Sequence, residues 1–72
     1  MELTKLGQGE TGIVSSVKCG HGAERKLSSR GIKIGSRVKR VSGSRGPVVV
    51  ESKGSQIAIG RGMARKIEVR VL

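Results

Sequence analysis

The chain has no aromatic residue, no Asp, no Asn, one Cys and one Pro among its 72 residues. A single thiol excludes an internal disulfide, and the remaining residues do not supply a Cys/His framework for structural zinc. The longest uninterrupted apolar run is the three valines 48–50, whereas a membrane-spanning helix needs about 20 such residues. The first residues lack the apolar segment of a secretory signal, so the sequence predicts a cytoplasmic protein.

The short length leaves room for one small domain, residues 1–72. Dinucleotide-binding folds and kinase lobes are excluded because they need about 100 residues or more. What the chain does contain is β-branched side chains, since nine Val and six Ile account for 15 of the 25 hydrophobic residues. These side chains favour a pleated, half-buried surface. The composition therefore predicts a small, mainly β domain with a thin core.

Short apolar runs separated by Gly and Ser predict five strands. They cover residues 12–17, 36–41, 48–52, 56–60 and 66–71. In the second of them, Val38 and Val41 are three positions apart, which breaks the period of two and indicates a β-bulge or a strong bend. A basic interval at 61–65 precedes the last strand and predicts one turn of 3₁₀ helix.

One stretch between the first two strands, residues 22–31, lacks β-branched side chains and ends in Gly31. Ala23 and Leu27 are four positions apart and share one helical face, and Gly31 suits the left-handed residue that ends a helix. The stretch therefore predicts a short helix. Five strands with regular turns, and one helix between strands 1 and 2, predict a small SH3-like five-stranded barrel.

The segment 7–12, Gly-Gln-Gly-Glu-Thr-Gly, matches the G-x-G-x-x-G string of dinucleotide-binding proteins. That string binds phosphate only where it follows a strand and opens a helix within a βαβ unit. Here only six residues precede it, and a β-branched run follows it. We interpret it as a glycine-rich turn before the first strand.

Cys19, His21 and Glu24 are candidate metal ligands that lie close together in the sequence. Three such ligands suit Fe²⁺ or Zn²⁺, but a structural zinc site takes four, and a catalytic triad would lack an Asp or Asn to orient the histidine. The favoured interpretation is a loop with an unrelated thiol and imidazole, and weak binding of a divalent metal is the alternative. The five carboxylates, all Glu, form no close pair, so we predict no catalytic residues and no enzyme activity.

Basic residues outnumber acidic ones by 15 to 5, which gives a net charge of +10. No acid occurs between Arg25 and Val50. Eight basic residues lie in that interval: Arg25, Lys26, Arg30, Lys33, Arg37, Lys39, Arg40 and Arg45. This concentration favours an anionic partner, whether phosphate groups, an acidic protein surface or anionic lipid. A solvated surface that keeps the domain soluble is the alternative of equal weight.

The order of these features resembles the ferrous iron transport protein A (FeoA-like) family along nearly the whole chain. The matching pieces are Leu3-x-x-Leu6, Gly9-Glu10-Thr11-Gly12-Ile13-Val14, Arg25-x-Leu27-x-x-x-Gly31-Ile32-x-x-Gly35, Gly46-Pro47, Ile57-Ala58-Ile59-Gly60-Arg61, Met63-Ala64 and Ile67-x-Val69. Each piece is weakly specific, and their order and spacing carry the resemblance. The sequence departs from the family pattern at Arg30, where the family usually has an apolar residue.

The resemblance implies a cytoplasmic SH3-like adaptor that assists the large membrane GTPase permease for Fe²⁺ at the inner face of the membrane. It also implies transition-metal binding, for which the chain offers Cys19, His21 and Glu24. The predicted partner-binding residues are Arg25, Leu27 and Arg30 in the helix and Arg45 in the turn at 43–46. Leu27 has a second and favoured interpretation, as the side chain that anchors the helix in the core.

Two alternatives from other functional classes stay open. The first is a ribosome- or RNA-associated SH3-like barrel, because segment 9–14 is also similar to the start of such barrels. The absence of aromatic residues counts against base stacking, whereas contact with phosphate groups stays possible. The second alternative is a metal-responsive regulator that self-associates.

Overall fold

Five strands and two helices account for most of the residues described in the computed structural model, which covers 1–42 and 45–72. A 3₁₀ helix at Leu3–Lys5 is followed by β1 (Thr11–Val17), α1 (His21–Ser29), β2 (Arg37–Ser42), β3 (Val48–Ser52), β4 (Ser55–Ile59), α2 (Arg61–Ala64) and β5 (Ile67–Val71). The predicted mainly β fold is confirmed, with each strand end within one residue of its prediction and with the predicted helix between strands 1 and 2. The interval 61–65 differs from the prediction, since it contains a turn of α-helix rather than 3₁₀ helix.

All five strands belong to one antiparallel sheet in the order β4-β3-β2-β1-β5. The central strand β1 pairs Thr11 with Lys39 of β2 and, on its other side, Val14 with Val69 of β5. Residues 7–10 of the G-x-G-x-x-G segment form a turn ahead of β1, as predicted, and the last two residues of the segment begin the strand. In the turn, the amide of Gly7 donates to Oε1 of Glu10 at 2.6 Å. The chain between β1 and β2 forms α1 and a tight loop.

The bulge predicted in β2 is confirmed. Arg40 lies opposite Val50, and Ser42 lies opposite Val49, so Val41 is the extra residue. The bulge begins only at Val41, so inward-facing and outward-facing side chains alternate regularly in the residues before it. Both Val38 and Arg40 therefore point inward. The strand therefore places a charged side chain in the interior.

Arg40 is the single charged side chain that is buried in the described part of the chain, with 9% of its surface exposed. Its Nη1 donates to the carbonyl oxygen of Thr4 at 2.9 Å and to that of Leu6 at 2.7 Å. The backbone of the same residue is also paired, since its carbonyl accepts from the amide of Gly9 at 2.7 Å. Arg40 thus fastens the N-terminal segment to β2.

The hydrophobic core combines inward-facing strand residues with side chains from the segments outside the sheet. It consists of Leu3, Leu6, Val14, Leu27, Ile32, Val38, Val48, Val50, Ile57, Ile59, Ala64, Ile67 and Val69. Most strand members are β-branched, as the composition predicted. Leu3 and Leu6 are completely buried, which the strand pattern did not predict because they belong to no strand.

The end of α1 follows a recognised stop signal. The amide of Ile32 donates to the carbonyl of Leu27 at 2.8 Å, and the amide of Gly31 donates to that of Ser28 at 3.0 Å. Together with the φ of +89° at Gly31, these two bonds define a Schellman motif. The usual hydrophobic contact of this motif is available because Leu27 and Ile32 are both in the core.

A two-residue turn joins β3 to β4, with Ser52 paired to Ser55 across it. Both turn residues have positive φ, +52° at Lys53 and +81° at Gly54, which is the type I′ arrangement. Asn, Asp or Gly usually occupies the first position, because other side chains are strained in the left-handed region. Lys53 is therefore held there at an energetic cost.

Replacing Lys53 with Asn should raise the free energy of unfolding by about 0.5–1 kcal/mol, because Asn tolerates the left-handed conformation. Thermal unfolding followed by far-ultraviolet circular dichroism should show a Tm higher by about 3–6 °C. Lys53→Ala is the control, since it removes the lysine but leaves a strained side chain. Equal gains in both variants would contradict this explanation.

Candidate interaction surface

Helix α1 presents basic side chains to solvent. It buries only Leu27, which is 5% exposed, while Ala23 is half-buried. Arg25, Lys26 and Arg30 are all exposed. The structure thus places Arg25 and Arg30 where a partner could contact them, and it confirms the interpretation of Leu27 as the core anchor of the helix.

A small crevice of about 220 Å³ separates α1 from β4 and α2. Its buried or half-buried lining is apolar and consists of Leu27, Ile57, Ile59 and Met63. Its exposed lining includes Lys26 and Arg30. An apolar floor beside two cations suits a partner segment that combines an apolar side chain with an acidic one.

Arg45 is exposed in the connection between β2 and β3. The C-terminal end of α1 instead lies beside the other end of β3, where Oγ of Ser52 donates to the carbonyl of Gly31 at 3.3 Å. The structure therefore does not bring Arg45 to the helix. The other predicted part of this contact, Gly43 and Ser44, lies outside the described residues.

Four basic residues surround a shallow concavity of about 590 Å³ on the outer side of β2 and β3. We call this surface the basic face and define it by Lys33, Arg37, Lys39 and Lys53 with Ile34 among them. All five side chains are exposed. One carboxylate, Glu51, lies in the same concavity, opposite Lys39 in the sheet. Four cations and one carboxylate leave this face with a net charge of +3.

Ile34 lies at the tip of a firmly held turn. The amide of Ser36 donates to the carbonyl of Lys33 at 2.9 Å, and the third turn residue, Gly35, has a φ of +91°, as a type II turn requires. Two bonds tie the turn to β1, from the amide of Gly35 to the carbonyl of Val14 and from the amide of Val14 to the carbonyl of Ser36. The Ile34 side chain is nevertheless 67% exposed.

The predicted metal ligands do not form a metal centre in the structure. Cys19 is half-buried against the core, whereas His21 and Glu24 are exposed on the first turn of α1. Within residues 1–42 and 45–72, no three side chains of the His, Cys, Asp and Glu types come together in an arrangement that could hold a metal. Weak metal binding at this loop stays a prediction.

The sequence pattern missed two members of the basic face. Lys53 lies beyond Glu51 and so outside the acid-free interval, and Ile34 is uncharged, so a pattern of basic residues does not identify it. The one available signal was the sequence Lys53-Gly54 between two strands, which marks a tight turn and so an exposed lysine. Seven of the eight basic residues of the acid-free interval are exposed as expected, and the exception is Arg40.

Neither helix in the described ranges has the length and apolar character needed to cross a membrane.

Comparison with known proteins gives consistent matches. The FeoA domain family matches residues 1–71. A protein of Methanocaldococcus jannaschii named "Putative Fe(2+) transport protein A" is 50% identical over 62 residues, which cover 86% of this chain and 76% of that protein. The crystal structure of an iron uptake regulatory protein (FeoA) superimposes with a TM-score of 0.89 at 36% identity, covering 100% of this chain and 96% of that one.

A further structural match concerns the fold alone. Stenotrophomonas maltophilia FeoA complexed with zinc, a procaryotic SH3 domain protein, superimposes with a TM-score of 0.82 at 24% identity. The match covers 97% of this chain and 89% of that one. The predicted SH3-like fold is thus confirmed.

Proposed function

The chain belongs to the FeoA family of ferrous iron transport accessory proteins, and from this premise we propose that it is a cytoplasmic adaptor that binds the GTPase region of the membrane Fe²⁺ permease. The observation that carries the proposal is the exposed basic side of α1 beside an apolar crevice. On this proposal the protein acts by binding rather than by catalysis, and Fe²⁺ is the cargo of the permease.

The proposed contact uses α1 in two ways. Arg25 and Arg30 attract an acidic surface over long range, which speeds encounter and orients the partner. The crevice floored by Leu27 and Met63 then takes an apolar side chain, which gives the contact its specificity. The Schellman motif and the burial of Leu27 hold the helix in place. Arg45 would belong to the contact only for a partner that spans the length of the β2–β3 hairpin.

Reversing the two helix charges tests this contact. The double variant Arg25→Glu, Arg30→Glu should bind the soluble GTPase domain of the permease at least about tenfold more weakly than the unmodified chain, because attraction becomes repulsion at the contact. Biolayer interferometry with the immobilised GTPase domain measures the Kd directly. Both positions are exposed, so the fold should be retained.

The matched control is the double variant Arg37→Glu, Lys39→Glu, which makes the same change in net charge on the outer side of β2. It should bind the GTPase domain with a Kd within about threefold of the unmodified chain. Undiminished binding by the helix variant would contradict the proposed contact. Equal losses in both variants would show attraction by net charge without a defined site.

The proposal assigns no step to a metal bound by this chain. Cys19, His21 and Glu24 offer one half-buried thiol and two exposed groups that do not form a three-ligand set. Any Fe²⁺ or Zn²⁺ taken up there would be held weakly, because a stable site for these metals needs three or four converging protein ligands. The zinc in the S. maltophilia complex makes Zn²⁺ the natural first ion to titrate.

A further inference from the structure

We propose that the basic face, formed by Lys33, Arg37, Lys39 and Lys53 around Ile34, is a docking surface for anionic phospholipid bilayers. The headgroup phosphates would lie against the four cations, and Ile34 would enter the boundary between headgroups and acyl chains. This surface adjoins the α1 contact proposed for the permease, because Lys33 and Lys53 line a neighbouring concavity together with Arg30. Ile34, Arg37 and Lys39 lie outside that shared concavity. Lipid binding is tested on vesicles without the permease, so that the lipid proposal and the permease proposal can fail independently.

The four cations of the basic face are available to bind an anionic surface. In the part of the chain that the structure describes, none of these four side chains lies in an ion pair with a carboxylate. Glu51 lies opposite Lys39 in the sheet but does not reach salt-bridge distance. Each Lys or Arg held near an anionic membrane surface strengthens binding about fivefold (about 1 kcal/mol). A face of net charge +3 therefore gives a substantial preference for anionic over neutral lipid.

The backbone of the basic face is held in a fixed conformation at Lys53 and at Ile34. Lys53 occupies a left-handed position that a lysine normally avoids, and strain of this kind persists where the surrounding structure fixes it. The turn that carries Ile34 is fixed to β1 by two backbone hydrogen bonds. The aliphatic side chain of Ile34 is thus held in solvent, 67% exposed. Because its turn is already ordered, binding does not have to order it.

An exposed isoleucine among cations distinguishes a bilayer from other anionic partners. Phosphate groups of nucleic acid gain nothing from contact with Ile34, and the chain has no aromatic residue on which bases could stack. Specific protein contacts centre on Trp, Tyr and Arg anchors in packed pockets, whereas this concavity is shallow and polar at its edges. A bilayer uses both features, because peripheral binding increases with buried apolar area and with attraction to anionic lipid.

Vesicle co-sedimentation of the full chain tests the electrostatic part. The chain should bind vesicles of phosphatidylcholine and phosphatidylglycerol in equal amounts and should not bind phosphatidylcholine alone. The variant Arg37→Gln, Lys53→Gln should reduce the partition coefficient about 25-fold, which is about fivefold for each charge. The charge-matched control is Lys18→Gln, Lys66→Gln. Both residues lie just beyond the Val17–Ile67 end of the β1–β5 pairing, away from the basic face, so this variant should change the partition coefficient by no more than about twofold.

Insertion of residue 34 is measured separately. Because the chain has no Trp, Ile34→Trp introduces a single fluorophore whose emission should shift to the blue when mixed vesicles are added, as an indole does at a membrane interface. Lys66→Trp is the control and should show no shift. Ile34→Ser should weaken vesicle binding about fivefold without loss of stability, since the position is exposed.

Three results would overturn the proposal. Equal losses in the two double variants would mean unspecific attraction by net charge. An unshifted I34W emission on vesicles that do bind the protein would place the contact elsewhere. Tighter binding of an RNA duplex than of vesicles, unchanged in Ile34→Ser, would assign the face to nucleic acid, and its steep loss with salt would confirm that assignment.

Discussion

Replacing Leu6 with Ala should lower the free energy of unfolding by about 3 kcal/mol. Leu6 is completely buried, so the substitution removes about three methylene equivalents and leaves a cavity that the neighbours fill only partly. A domain of this length has about 4–10 kcal/mol of total stability, and the variant would lose a large part of it. Urea denaturation followed by far-ultraviolet circular dichroism measures this change in the free energy of unfolding.

The same chemical change at an exposed position is the control. Leu72→Ala removes an equal side chain that is 67% exposed, and its free energy of unfolding should stay within about 0.5 kcal/mol of the unmodified chain. A similar loss in both variants would contradict the role of the N-terminal segment in the core.

Replacing Arg40 with Met should also lower the free energy of unfolding by about 3 kcal/mol. Met retains the aliphatic volume, but the carbonyl groups of Thr4 and Leu6 lose the Nη1 donor that lies 2.9 and 2.7 Å from them. An exchange of a buried ion pair for apolar residues can be neutral because both partners are removed. Here the acceptors belong to the backbone and stay behind unsatisfied.

The control is Arg37→Met on the same strand, where the side chain is exposed and the expected change is within about 0.5 kcal/mol. If Arg40→Met were as stable as Arg37→Met, the guanidinium would not be holding the N-terminal segment. Combining Arg40→Met with Leu6→Ala should give less than the sum of the two losses, because both act on the same segment.

The strands were predictable because their inward positions are Val and Ile at a spacing of two. The last strand shows this most clearly, since Ile67 and Val69 are buried and the residue between them is polar. The end of α1 was predictable for a similar local reason, because Gly31 can adopt the left-handed conformation without strain. Such features depend only on neighbours along the chain.

Features that depend on distant partners were not predictable. Leu3 and Leu6 have no regular spacing, and their burial requires the sheet to be in place. Arg40 resembles its exposed neighbours Arg37 and Lys39 in the sequence, and only the bulge at Val41 and the carbonyl groups of another segment explain why it is buried.

The candidate surface was predictable in part. The acid-free interval correctly indicated exposed cations at Arg25 and Arg30 on the helix. It could not separate the α1 contact from the basic face, because that division depends on how the α1 loop and the hairpin turn fold onto the sheet. It also grouped Arg45 with the helix, although the β2–β3 hairpin keeps them apart.

The pairing of the first residues with the last strand has a consequence for the order of events during synthesis. The amide of Val69 donates to the carbonyl of Met1 at 2.7 Å, and Glu2 forms a bridge with Glu68. Residues 1–6 leave the ribosome before any of the five strands, yet β5, which receives them, is the last of those strands to follow. Their burial must therefore wait until β5 is free, and contacts of such long sequence separation form slowly. Until then the side chains of Leu3 and Leu6 are exposed to other molecules that bind apolar segments of nascent chains.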